Sequence, residues 1–119
     1  MKVAITSTGK DLESMMDERF GRCSYFIITD TDSDEFQVFE NRYVGGAHGV
    51  GVQVSQFIAD KGVDAVITGN VGPNAMSVLG GAGIQVFMAR SMTVKQALQS
   101  LSEGKLGEIN APTKGKHNL

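Results

Sequence analysis

The sequence predicts an α/β protein with one mixed sheet between helix layers. Three observations predict it. The hydropathy pattern runs strand, strand, strand, helix, strand, helix, strand, helix. The link over 30–35, Asp-Thr-Asp-Ser-Asp-Glu, is short and polar, so the strands on either side form an antiparallel hairpin. The chain then closes with two β-α-β units, which call for parallel strands and right-handed crossovers.

Each element has its own signal. Lys2 to Thr6 alternates, with Val3 and Ile5 on one face, and reads as strand one. Asp11 to Met16 reads as one helical turn, with Leu12, Met15 and Met16 at helical spacing. Ser24 to Thr29 and Phe36 to Glu40 are rich in aromatic and β-branched residues, as strands two and three. Helix one is expected from Val50 to Lys61, because Val50, Val54, Phe57 and Ile58 share one face. Gly62 then suits a helix end.

Val63 to Thr68 is almost wholly apolar, as in a strand covered on both faces. Pro73 suits the first position of helix two, and Gly80 to Gly83 ends it. Ile84 to Ala89 is strand five. Thr93 and Gln96 are spaced as a capping box for helix three, which carries Val94, Ala97, Leu98 and Leu101 on one stripe. Residues 1–106 read as a single domain. Residues 107–119 are polar and aperiodic, and are expected to be a flexible tail.

Composition excludes several classes. The net charge of −2 is not that of a phosphate-backbone binder, so no nucleic-acid partner is expected. No stretch approaches the ~20 apolar residues of a membrane span. The first residues hold too short an apolar run for a signal peptide. The single cysteine cannot form an internal disulfide and suits a reducing cytosol. A cytoplasmic protein is therefore expected.

The chemistry-bearing residues concentrate before strand two. Asp17-Glu18-Arg19-Phe20-Gly21-Arg22-Cys23 packs two acids, two arginines and the only thiol into seven residues. A merely connecting loop is more often Ser, Asn, Gly and Pro. Strand two runs against strand one. Its start therefore lies at the sheet edge where strands one, three and four end. Ligands of open α/β sheets sit outside that edge. The topology thus gathers Cys23, His48, Asn70 and the glycine loops on one rim. The glycine loops match no standard phosphate motif. Gly49 and Gly51 open a helix, where they either hold an anion on free N–H groups or serve turn geometry alone. Arg19 and Arg22 beside Cys23 would lower the thiol pKa and favour a thiolate. The alternative for Cys23 is a buried structural thiol.

The heptad, the His48-Gly49 region, Gly69-Asn70-Val71-Gly72-Pro73-Asn74-Ala75 and the closing Val94 to Gly104 helix together resemble the dinitrogenase iron–molybdenum cofactor biosynthesis family, of the NifX and NifB C-terminal type. The resemblance covers residues 1 to about 105. It implies a three-layer α/β/α, ribonuclease-H-like fold, with a five-stranded mixed sheet in the order 3-2-1-4-5 and strand two antiparallel. It implies a small binding or carrier protein for an iron–sulfur cluster or iron–molybdenum cofactor precursor. Its expected partners are cluster donor and acceptor proteins, and its expected state is a monomer or weak homodimer. On this reading Arg19, Arg22, Cys23, Gly46, His48, Gly49 and Asn70 hold the cofactor, with Cys23 and His48 as metal ligands. The alternative function is a thiol-based enzyme or redox sensor using Cys23. Nuclease chemistry is not expected. It needs several acidic metal ligands at strand ends. Strand one has none, and strand four has only Asp64.

Overall fold

The computed structural model describes residues 1–45 and 49–113. In chain order they form β1 (Lys2–Ser7), β2 (Tyr25–Asp30), β3 (Phe36–Glu40), α1 (Val50–Asp60), β4 (Ala65–Thr68), α2 (Pro73–Gly81), β5 (Gln85–Met88), α3 (Val94–Ser102) and β6 (Gly107–Glu108). The sheet order is β3-β2-β1-β4-β5-β6. β1, β4 and β5 are parallel, and β2 is antiparallel to β1 and to β3. The hairpin and the reversed second strand follow the sequence expectation.

Two expectations need correction. The sheet has six strands rather than five, because β6 pairs antiparallel with β5 through Phe87↔Glu108 and Met88↔Gly107. Residues 107–113 are therefore not a loose tail. Ile109 is 7% exposed and sits in the core, and its N–H donates to Val86 O at 2.7 Å. Thr113 N–H donates to Val71 O at 2.9 Å. The segment is held by the open edge of β5, a backbone cause that leaves no hydropathy period to read. Residues 114–119 lie outside the described part.

The second correction concerns Asp11 to Met16. It is no helical turn. Met16 bridges Ser7 and Met15 bridges Thr93, so the chain folds back as an extended hook. Met16 is buried at 5% exposure while Met15 points outward. A period-two pattern of one apolar side chain in, one out, was hidden by the apolar character of both.

The two faces of the sheet carry separate cores. α1 and α2 cover one face, over Ala4, Phe26, Ile28 and Val66. α3 covers the other, over Val3, Ile5, Ile27 and Ile67. The alternation of Val3, Ala4 and Ile5 between the two cores is the period-two rule of a strand covered on both sides. The α1/α2 side also holds a chain of ring contacts, with Phe20–Phe26 centroids at 6.2 Å and Phe26–Phe57 at 6.1 Å. A Phe ring buried here is typically worth several kcal/mol against Ala.

A cleft between two helix N-termini

The heptad is pinned first at its start. Asp17 N–H donates to Thr6 O at 3.0 Å, and the Thr6 hydroxyl donates to Asp17 O. It is pinned again in the middle, where Phe20 N–H donates to Asn70 O at 3.1 Å and Arg19 bridges Asn70. Along the heptad every third side chain turns inward. Asp17, Phe20 and Cys23 are buried, while Arg19 and Arg22 are exposed.

The outward side forms one wall of an open cleft of about 300 Å³. Arg19, Arg22 and Asn70 line it, together with backbone 49–51 at the start of α1 and 72–75 at the start of α2. Neither helix has a side-chain cap, and neither has an acidic residue in its first turn. Their caps are Gly49, at φ 71, and Gly72. The first amides of a helix find no partner within it, and they carry the positive end of the helix dipole. Gly49 holds a left-handed conformation that an L side chain resists, so this entry to α1 suits glycine.

Arg19 is clamped by Asp17. Its Nε and Nη2 donate to the two carboxylate oxygens, each at 3.1 Å. The Asp17 side chain is 7% exposed and that of Arg19 is 59% exposed. This hydrogen bonding, with the carboxylate's charge, holds the guanidinium pKa above its usual range. The pair leaves Nη1 as the guanidinium's remaining donor nitrogen. Arg22 Nη1 donates to Val44 O at 2.9 Å, which ties the heptad to the segment after β3.

Cys23 does not join them. It is 0% exposed and belongs to the α1/α2-side core. Its Sγ–H donates to Phe20 O at 3.5 Å, and Asn41 Nδ2 approaches Sγ at 4.0 Å. Burial, and then the charge of Asp17, push the thiol pKa far up. The expected thiolate is thus replaced by a neutral thiol. The arginines close to it in sequence are exposed while the thiol is buried, and burial outweighs their charge. Cys23, expected as a metal ligand or as the thiol of an enzyme or redox sensor, is packed in the core rather than exposed to the cleft. The other expected ligand, His48, and Gly46 lie outside the described residues. Among the described residues no group of three or more His, Cys, Asp or Glu could hold a metal ion.

The cleft brings together Arg19, Arg22, Gly49 and Asn70, four of the seven residues expected to hold the cofactor. The sequence reading missed the start of α2 as a wall, and it missed Arg90. Arg90 Nε and Nη2 donate to Gly69 O at 3.2 and 2.8 Å, and Nη2 donates to Asn70 Oδ1 at 2.8 Å. The topology rule that placed the ends of β1 and β4 on this rim also places the end of β5 there, and that signal could have found it. Gly69 lets the loop approach the heptad, since a Cβ there would lie 2.7 Å from that of Glu18.

Fold and site together define a three-layer α/β protein with a donor-rich cleft at the carboxyl ends of its parallel strands. The profile of the family described as dinitrogenase iron-molybdenum cofactor matches residues 1–104, and the chain belongs to that family. It is 35% identical over 109 residues to an uncharacterised protein of Methanocaldococcus jannaschii, covering 89% of each chain. Among solved structures it is similar to the apo form of the orange protein from Desulfovibrio gigas, with TM-score 0.92 and 32% identity over 95% of this chain and 96% of that one. It is also similar to a putative NifB protein from Thermotoga, with TM-score 0.84 and 45% identity over 95% and 97%. No helix among the described residues is long and apolar enough to cross a membrane.

Proposed function

We propose that this protein carries an anionic metal–sulfur cluster, of iron–sulfur or iron–molybdenum type, and holds it in the cleft without a cysteine ligand. The observation that carries this reading is the separation within the heptad. Both arginines face the cleft beside two uncapped helix starts, while the thiol faces the core. The family supports a link to the iron–molybdenum cofactor. Inorganic sulfides accept hydrogen bonds from backbone amides, and a positive site offsets cluster charge. A cargo held by charge and hydrogen bonds can be released without breaking a metal–thiolate bond, which suits delivery from a donor to an acceptor protein.

The test is anaerobic incubation with an iron–sulfur cluster donor, followed by desalting and a visible spectrum. The parent and Cys23→Ala should both retain the chromophore. The double variant Arg19→Ala/Arg22→Ala should lose it, and salt should weaken uptake. Loss of uptake in folded Cys23→Ala, or full uptake by the double arginine variant, would overturn the reading.

A further inference from the structure

Arg90 does not line the cleft, yet it is bound to the residue that does. Its Nη2 lies 2.8 Å from the side-chain amide of Asn70. A guanidinium has only donors, so the atom it meets must be the carbonyl oxygen Oδ1. The amide cannot turn without setting N–H against N–H. With Oδ1 engaged by Arg90, which is not among the cleft's lining residues, Nδ2 is the end of the amide left for a ligand.

The turn that delivers Arg90 is unusual. Ser91 has φ 59, the only non-glycine residue with positive φ among those described. Such a conformation is held by its surroundings and is more frequent at functional sites. Here the holder is Glu18, whose Oε2 accepts from Ser91 N–H at 3.0 Å. Glu18, Ser91, Arg90 and Asn70 therefore form a chain that begins and ends on the rim. Arg19 is fixed in the same manner, with two of its nitrogens on Asp17.

We propose that Arg90 is a positioning residue, which locks Asn70 with its amide N–H toward the cleft, so that the Asn70 side chain offers the cleft a donor only. At this point of the wall the cleft favours a pure hydrogen-bond acceptor, such as a fully deprotonated oxo or sulfido anion. A ligand carrying its own O–H or N–H finds no acceptor on Asn70. This rests on the reading of the cleft as an anion site.

The probe is molybdate, which carries no donor at neutral pH. Affinity is measured by calorimetry, and the Asn70 side-chain amide is followed by ¹H–¹⁵N NMR. In the parent, molybdate should shift the Asn70 Nδ2 resonances and the backbone amide of Gly51. Arg90→Met should weaken binding about tenfold, the order expected for one hydrogen bond to a charged group. In an Asn70→Ala background Arg90→Met should cause no further loss. Arg90→Lys keeps a donor and should recover part of the affinity. Glu18→Gln should give a smaller loss of the same kind, and it serves if Arg90→Met fails to fold. Equal losses from Arg90→Met with and without Asn70 would overturn the proposal, as would a Gly51 shift without an Asn70 side-chain shift. No molybdate shift at any cleft amide would overturn the anion reading itself, and this proposal with it.

Discussion

The starts of α1 and α2 differ from the start of α3, although all three helices begin at the same rim. α3 is closed by its own residues. Gln96 N–H donates to Thr93 Oγ1 at 3.1 Å, and Thr93 N–H donates to Gln96 Oε1 at 2.8 Å. α1 and α2 begin on glycines with no side-chain cap. A side-chain cap is worth about 1 kcal/mol to a helix. The chain takes that gain on the side without the cleft and forgoes it twice beside the cleft. The difference teaches that helix ends left open locally are the ones available to a ligand.

The largest test of the asymmetry uses pH. The apolar cluster on the α1/α2 side contains Cys23, and the one on the α3 side contains no cysteine. The folded thiol pKa is raised by burial above the unfolded value of about 8.5. The unfolded thiol loses its proton first, so the folded state binds more protons above that pH. Stability from this group is therefore complete below about pH 8.5 and falls as pH rises. The slope is up to about 1.4 kcal/mol per pH unit, or roughly 3 kcal/mol between pH 9 and 11. Urea denaturation at each pH should show this excess loss in the parent relative to Cys23→Ala. Parallel pH curves for the two proteins would mean that Cys23 titrates normally.

Next is the end of the chain. Ending it at Leu106 removes β6, the buried Ile109 and the bond from Val71 N–H to Thr113 Oγ1 at 2.7 Å. Burial of one such apolar side chain is worth about 2 kcal/mol. The midpoint of thermal unfolding should drop by several degrees. The loss falls on the cleft side, so protection of α2 amides from hydrogen exchange should fall more than that of α3. A truncated chain with the parent's midpoint would return 107–113 to the status of a loose tail.

Gly72→Asp tests the asymmetry most directly. Gly72 has φ −85 and ψ 174, an extended conformation open to any residue, and a Cβ there meets nothing within 4 Å. The new carboxylate would cap α2 and occupy its amides. Stability should rise by about 0.5–1 kcal/mol, while anion affinity falls about tenfold or more, about 1.4 kcal/mol. A variant that gains stability and binds molybdate like the parent would remove α2 from the site.

Much of the fold was legible. The Thr93/Gln96 spacing, the Val3-Ala4-Ile5 alternation and Pro73 each carry their cause in the local sequence. β6 does not, because two residues bonded through their backbone leave no pattern. The site was half legible. Strand direction placed Cys23, at the start of strand two, and Asn70 on one rim, and Arg19 and Arg22 precede Cys23 in the same heptad. It could not say that Cys23, one residue from Arg22, is buried while both arginines are exposed. That depends on a three-residue turn, Asp17 to Phe20 to Cys23, fixed by partners distant in sequence such as Thr6 and Asn41. Arg90 was missed because its partner, Asn70, lies twenty residues away.

The smallest effect is the control for the whole comparison. Thr93→Ala removes the acceptor for Gln96 N–H and leaves that amide to water. The cost should be about 1 kcal/mol, the usual worth of a threonine cap. Thr93 does not line the cleft, and α3 lies across the sheet from α1 and α2. Molybdate affinity should therefore stay at the parent value while the denaturation midpoint falls. The pair Thr93→Ala and Gly72→Asp then moves stability in opposite directions, and only the second moves binding. If Thr93→Ala also weakened molybdate binding, the two faces would be coupled through the sheet. The open helix starts beside the cleft could not then be read apart from the closed one behind it.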